Sequence, residues 1–237
     1  MKKHLFLSIT VLFLIVCSVL THNAQAQVSD EPNGFNINHS VDLTAGFGGG
    51  SVVGIGWNHF WGIGKRKNFR LGYGARFGAY NGKNREFVPA PLSLIEETDH
   101  LDIEKVRNRN IAINANIKYR IKEVFEVGFN IDLIGISFGP ETDGVYHSAN
   151  IDDASLLGPQ TAKPTPVTLL LGGSNDRGML QSEFYVGYWW KMFNFRAGFN
   201  YLFSEYTTTN TLANDNDRFR HITGMPFIGI GFSPKHN

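Results

Sequence analysis

Cysteine is almost missing from this chain: Cys17 stands alone among 237 residues, so no disulfide within the chain can staple a fold. Charge is sparse as well. Asp, Glu, Lys and Arg make up 18%, and they nearly cancel to a net +1. No basic excess points to nucleic acid as a partner. Beyond residue 26 there is no long apolar run, so no transmembrane helix is expected there. Several chemical signatures are also lacking. There is no G-x-S-x-G elbow. The glycines at Gly48 to Gly50 and Gly172-Gly173 are not followed by the Lys-Ser/Thr of a phosphate loop. Glu141, Asp143, Asp152 and Asp153 lack calcium-loop spacing. His100 and His147 read as isolated loop residues, so no metal and no cofactor is expected.

Glycine, at 26, and phenylalanine, at 19, are what the chain has in plenty. It opens with Lys2-Lys3, an apolar run from Leu5 to Leu20, and Ala24-Gln25-Ala26. A basic start, a run shorter than the roughly 20 residues of a spanning helix, and a small-residue site predict a cleaved signal peptide over 1–26. One exported domain is then expected over 27–237, without cysteine and without a linker or repeat.

The rest of the chain alternates. In Asn194 to Glu205 the residues Phe195, Ala197, Phe199, Tyr201 and Phe203 share one face, with Arg196, Gly198 and Asn200 on the other. A period of two is a β-strand whose faces meet different surroundings. The pattern recurs over 36–47, 51–61, 69–79, 109–121, 125–138, 178–190 and 219–232. It slips near Gly135, which predicts a bulge, and Pro226 predicts a bulge or a local break in pairing. The stretches 80–108, 139–176 and 206–218 read as long connections, with a helical turn or two expected within Ile95 to Val106.

Alternation alone does not say which face is outside. Volume does. About five large apolar side chains per strand overfill an eight-stranded barrel, whereas a face rich in glycine suits its interior. Trp57, Trp61, Tyr119, Tyr188, Trp190, Phe195 and Phe232 gather beside the short turns, as an aromatic girdle at a membrane interface would. The turns at 62–68, 122–124 and 191–193 fall at one end, and the three long connections fall at the other. The expectation is an all-β fold, an eight-stranded antiparallel transmembrane up-and-down barrel with its apolar face outward.

The leader, the eight alternating strands and the terminal I-G-I-G-F ending at Phe232 resemble small bacterial outer-membrane β-barrels of the OmpA-transmembrane, OmpX and PorT-like kind. The resemblance covers about residues 36 to 232, and Ser233 to Asn237 follow the terminal aromatic. It implies an outer-membrane location in a Gram-negative-type bacterium, contact with outer-membrane lipid, and handling by the barrel-assembly machinery. A monomer is expected.

The inward face carries Asp42, Arg70, Arg76, Lys118, Arg120, Glu126, Asp132, Glu183 and Arg196. Unpaired charge is costly to bury, so these predict an ion-pair and amide network that plugs the lumen. A catalytic alternative, a lipid-active barrel enzyme, would rest on Ser204 or Glu205 near His221. A soluble exported lipocalin-like barrel is a further alternative. No enzymatic activity is expected. The loops 80–108 and 139–176 leave room for a structural, adhesive or receptor-like role with an unknown external ligand.

Overall fold

A computed structural model describes residues 37–64, 66–91, 99–122, 124–148, 156–212 and 215–234. The expected signal peptide lies outside the described residues. Among those described there are eleven strands: β1 (Ile37–Gly48), β2 (Gly50–Ile63), β3 (Phe69–Pro89), β4 (His100–Ile121), β5 (Phe125–Phe138), β6 (Thr142–His147), β7 (Gly158–Pro164), β8 (Val167–Leu169), β9 (Met179–Trp190), β10 (Phe193–Thr208) and β11 (Arg218–Phe232).

Eight of them close a ring. Each pairs antiparallel with the next in the order β1, β2, β3, β4, β5, β9, β10, β11, and β11 returns to β1 through Leu43 opposite Ile230. Alternation dictates this wall. On β3, Arg70, Gly74, Arg76 and Gly78 are buried inside, while Phe69, Leu71, Tyr73 and Phe77 are exposed outside. The other ring strands follow the same rule, with Phe184, Val186 and Ile228 more than half exposed. The slip expected near Gly135 is a bulge: Ile113 faces Ile134 and Asn114 faces Asp132, which leaves Leu133 extra. Pro226 sits where the pairing of β11 to β1 stops, one residue beyond Phe227 opposite Gly46.

The eight alternating runs read from the sequence fall on the eight ring strands; the described residues hold three further strands, β6, β7 and β8, in stretches read as connections. Residues 80–89 and 100–108 are strand, not loop. β3 continues to Pro89 and β4 starts at His100, so the helical turn expected up to Val106 is strand over its described part. Residues 139–176 carry β6, β7 and β8. The polar loop at 206–218 is trimmed from both sides, because β10 runs to Thr208 and β11 starts at Arg218.

These extensions make a second ring stacked on the first. The upper part of β3 pairs with β4 (Phe87 opposite Leu101), β4 with β6 (Ile103 opposite Gly144), and β6 with β7 (Thr142 opposite Ala162). β7 pairs with β10 (Thr207 opposite Lys163), β10 with β11 (Tyr206 opposite Phe219), and β11 with β3 (Phe219 opposite Pro89). The result is a closed turret of six strand segments.

Between the two rings the faces exchange roles. Lys83 and Asn84 are both exposed, and so are Glu104 and Lys105 across from them, so each strand loses one step of its alternation. Asn84 sits at φ 50°, a left-handed conformation that asparagine tolerates better than most residues. Below this seam most of the large apolar side chains point outward. Above it, Phe87, Leu101, Ile103, Tyr146, Tyr206 and Phe219 point inward and are almost completely buried.

Candidate functional site

The eight-strand ring encloses a polar column. At its lower end Phe60 and Trp189 turn inward, and Trp189 Nε1 donates to Glu126 Oε2 at 2.7 Å. Lys118 lies 3.5 Å from Glu126 and 3.8 Å from the centre of the Phe60 ring. Arg120 rests over the Trp189 ring at 5.0 Å, and Arg70 Nε donates to the Lys67 carbonyl at 3.4 Å. One level up, Arg196 reaches Asp42 at 2.9 Å and lies over the Tyr185 ring at 4.8 Å. Asn58 also donates to Asp42, and Asn116 donates to Asn58 at 3.1 Å.

Arg76 is the hub above. It lies 2.6 Å from Asp132 and 3.3 Å from Glu183, and it donates to Asn130 Oδ1 at 3.0 Å and to the Gln181 carbonyl at 2.9 Å. Asp132 accepts further from Asn110 at 3.2 Å and from the Gln181 backbone N–H at 3.0 Å. Asn130 and Asn200 both donate to Glu183, at 2.7 and 3.3 Å. Every lumen residue named from the sequence therefore points inward. The structure joins Asp42 with Arg196, Lys118 with Glu126, and Arg76 with Asp132 and Glu183. Arg70 lies at the lower rim, beside Lys67.

Glycine makes room for these side chains. A Cβ on Gly128 would strike the Tyr185 ring, and one on Gly78 would strike the Gln181 and Asn110 amides. Around Ser204, which accepts from Asn108 Nδ2 at 3.0 Å, the column turns apolar at Met179, Leu202 and Met225 and passes into the turret core.

The aromatics named for the girdle lie on the outer wall. Tyr119, Tyr188, Trp190 and Phe195 are among its most exposed rings. Trp57 and Trp61 flank Tyr73, at 6.1 and 5.4 Å between ring centres. Phe232 packs on Phe193 at 5.7 Å. His39 and His59 join the Trp57 and Trp61 cluster, with their Nδ1 atoms 3.4 Å apart.

Ser204 and His221 face each other across β10 and β11, but no hydrogen bond joins them among the described residues. The Ser204 hydroxyl is fully buried and held by Asn108. His221 Nδ1 bonds the Glu86 carbonyl at 2.9 Å, and its ring packs 5.4 Å from Phe87. Burial lowers the His221 pKa from its ordinary value, partly offset by the Glu86 carbonyl. Glu205 is engaged by Arg218 at 2.8 Å and Arg220 at 3.5 Å, and both arginines also donate to the Asp176 carbonyl. A base turned to a backbone carbonyl and a hydroxyl sealed from solvent do not make an activated nucleophile. Burial pushes the Tyr206 phenol up to about 12, and its oxygen accepts from the Arg107 N–H.

Sequence reasoning missed two groupings. The Glu205, Arg218 and Arg220 cluster is one. The other is His100, Asp102 and His147, which were read as lying in loops but sit on the paired strands β4 and β6. The alternate spacing of His100 and Asp102 was visible; their neighbour 45 positions away was not.

No protein-family model matches the chain, and no curated protein matches it. Among solved structures, Neisserial surface protein A is similar at 8% identity and a TM-score of 0.33, over 84% of this chain and 97% of that one. A major outer membrane protein of Thermus thermophilus is similar at 10% identity and a TM-score of 0.39, over 83% and 99%.

Proposed function

We propose that this chain is a non-enzymatic β-barrel of a bacterial outer membrane, with a plugged polar lumen and a closed turret that projects from the cell. The observation that carries the reading is the exchange of faces within continuous strands. On β3 and β4 the apolar side chains below Lys83 and Lys105, apart from Tyr80, Val106 and Ala112, point out, and Phe87, Leu101 and Ile103 above them point in. A barrel in water throughout would have no cause to reverse. One that leaves lipid for water must.

The dimensions agree. β2 has 14 residues, which at about 3.3 Å each and a tilt of about 40° rise about 35 Å, enough for an apolar band of about 25 Å. A soluble lipocalin-like barrel would leave Phe184, Val186, Phe199 and Ile228 against water in one continuous belt, far larger than soluble monomers expose. The turret, not the lumen, offers outside surface to an adhesive, structural or receptor-like role. On this reading the leader 1–26 is removed, assembly uses the barrel-assembly machinery, and the barrel is monomeric in outer-membrane lipid.

The test is fractionation with gel migration. The mature chain should sediment with outer membranes and run faster before boiling than after. Recovery in the soluble periplasmic fraction would end this reading.

A further inference from the structure

In the turret, β4 and β6 run side by side with His100 directly opposite His147. Asp102 follows two residues along β4, so it leaves the sheet on the same outer face as His100. The register places Asp102 opposite Val145, diagonal to His147. The two imidazoles stack nearly parallel, 4.8 Å between centres and 20° between planes. The Asp102 Oδ2 lies 3.8 Å from His100 Nε2 and 3.6 Å from His147 Nε2. One ligand atom from each of the three falls within 4.8 Å of the others.

We propose that His100, Asp102 and His147 bind one divalent transition-metal ion of the zinc or copper class. Two imidazole nitrogens and one carboxylate oxygen are the donor set that borderline ions prefer, whereas calcium and magnesium take oxygen alone. Bonds of about 2.0–2.2 Å to a tetrahedral centre set ligands about 3.5 Å apart, so small side-chain rotations bring these donors into place. All three side chains keep a face to solvent, which leaves the ion an open position for water or an incoming ligand.

Such an ion would fasten the turret at a weak seam. β4 and β6 share four residue pairs in their register, and the His100 and His147 pair is at its end. Packing does not explain the stack, because both rings are partly exposed on the outer wall.

The full chain, refolded in detergent micelles and checked by its heat-modifiable band, would be titrated with Zn(II) against a chromophoric chelator and with Cu(II) under electron paramagnetic resonance. One ion per chain is expected, with a copper spectrum showing two imidazole nitrogens. His100→Ala and His147→Gln should each weaken Zn(II) binding by at least about tenfold, and Asp102→Asn should weaken it as well. The double variant His39→Ala/His59→Ala removes the other histidine pair and should leave the site intact. The proposal falls if the native chain binds no tighter than the His100→Ala/His147→Gln double variant, or if binding disappears with His39 and His59.

Discussion

Asp132 is wholly buried, and it holds Arg76, Asn110 and the Gln181 N–H at once. Removing one partner of such a pair leaves the other charged and unsolvated, at a cost of about 3–5 kcal/mol. Asp132→Ala should therefore lower the unfolding free energy of the barrel by that amount, read from the urea midpoint and slope, even though no outer-wall contact changes. His221 gives a pH prediction. Its folded pKa is lowered by burial, so the unfolded chain binds more protons as pH falls below the ordinary value of about 6.5. Stability contributed around His221, which has Arg85 and Glu86 beside it, is intact above that value and lost below it. Hydrogen exchange of turret amides, corrected for the intrinsic rate, should quicken from pH 7.5 to 5.5 in the native chain, with a smaller change in His221→Phe. The sequence made the inward direction of Asp132 and Arg76 legible, since alternation fixes a face. It did not reveal that residues 56 apart meet, because partner choice depends on the shear of the whole ring. His221 stayed illegible for the same reason: nothing local says that Phe87 and Glu86 will cover it.

The strands are where the sequence speaks plainly and then stops. Six of the eight ring strands are marked by runs without a break such as Phe69 to Ala79, β5 by a run with one slip, and β11 by a run interrupted at Pro226. The upper halves of β3 and β4 were missed because the period breaks at Lys83 and Asn84 and again at Glu104 and Lys105. A broken period looks like a loop, and Pro89 and Pro91 strengthened that impression. β6 and β7 are short, carry Gly144, Pro159 and Pro164, and gain their pairing from neighbours far away in sequence. Two substitutions probe the wall from its two sides. Ile113 is half exposed on the outer face of β4. In a bilayer, Ile113→Arg should cost about 2–4 kcal/mol near the midplane, falling toward zero if that face meets water. Urea unfolding in lipid vesicles reads the difference. On the inner side, Gly128→Val would drive into the Tyr185 ring and should cost about 1–3 kcal/mol through overpacking, read as a lower urea midpoint.

Taken whole, the molecule has two closures in series. The lower is the charged column around Arg76; the upper is the apolar core around Phe87, Tyr206 and Phe219. On the proposed plugged-lumen reading either would block passage, so planar bilayers should stay silent with the native protein and with Arg76→Ala alone. Conductance should appear only when the turret core is also cut, for instance with Phe87→Ala and Phe219→Ala added. A conducting Arg76→Ala protein would show that the turret is not a seal. The shared use of β10 and β11 has a consequence for biogenesis. These two strands complete the lower ring through β1 and the upper ring through Pro89 and Lys163. They are also the last of the ring strands to leave the ribosome. The turret thus has no half-built form that is already closed, and on the proposed outer-membrane reading its appearance on the cell would be a timestamp for finished insertion. An antibody to the turret's folded shape would count completed barrels and ignore every chain still waiting for its final hairpin.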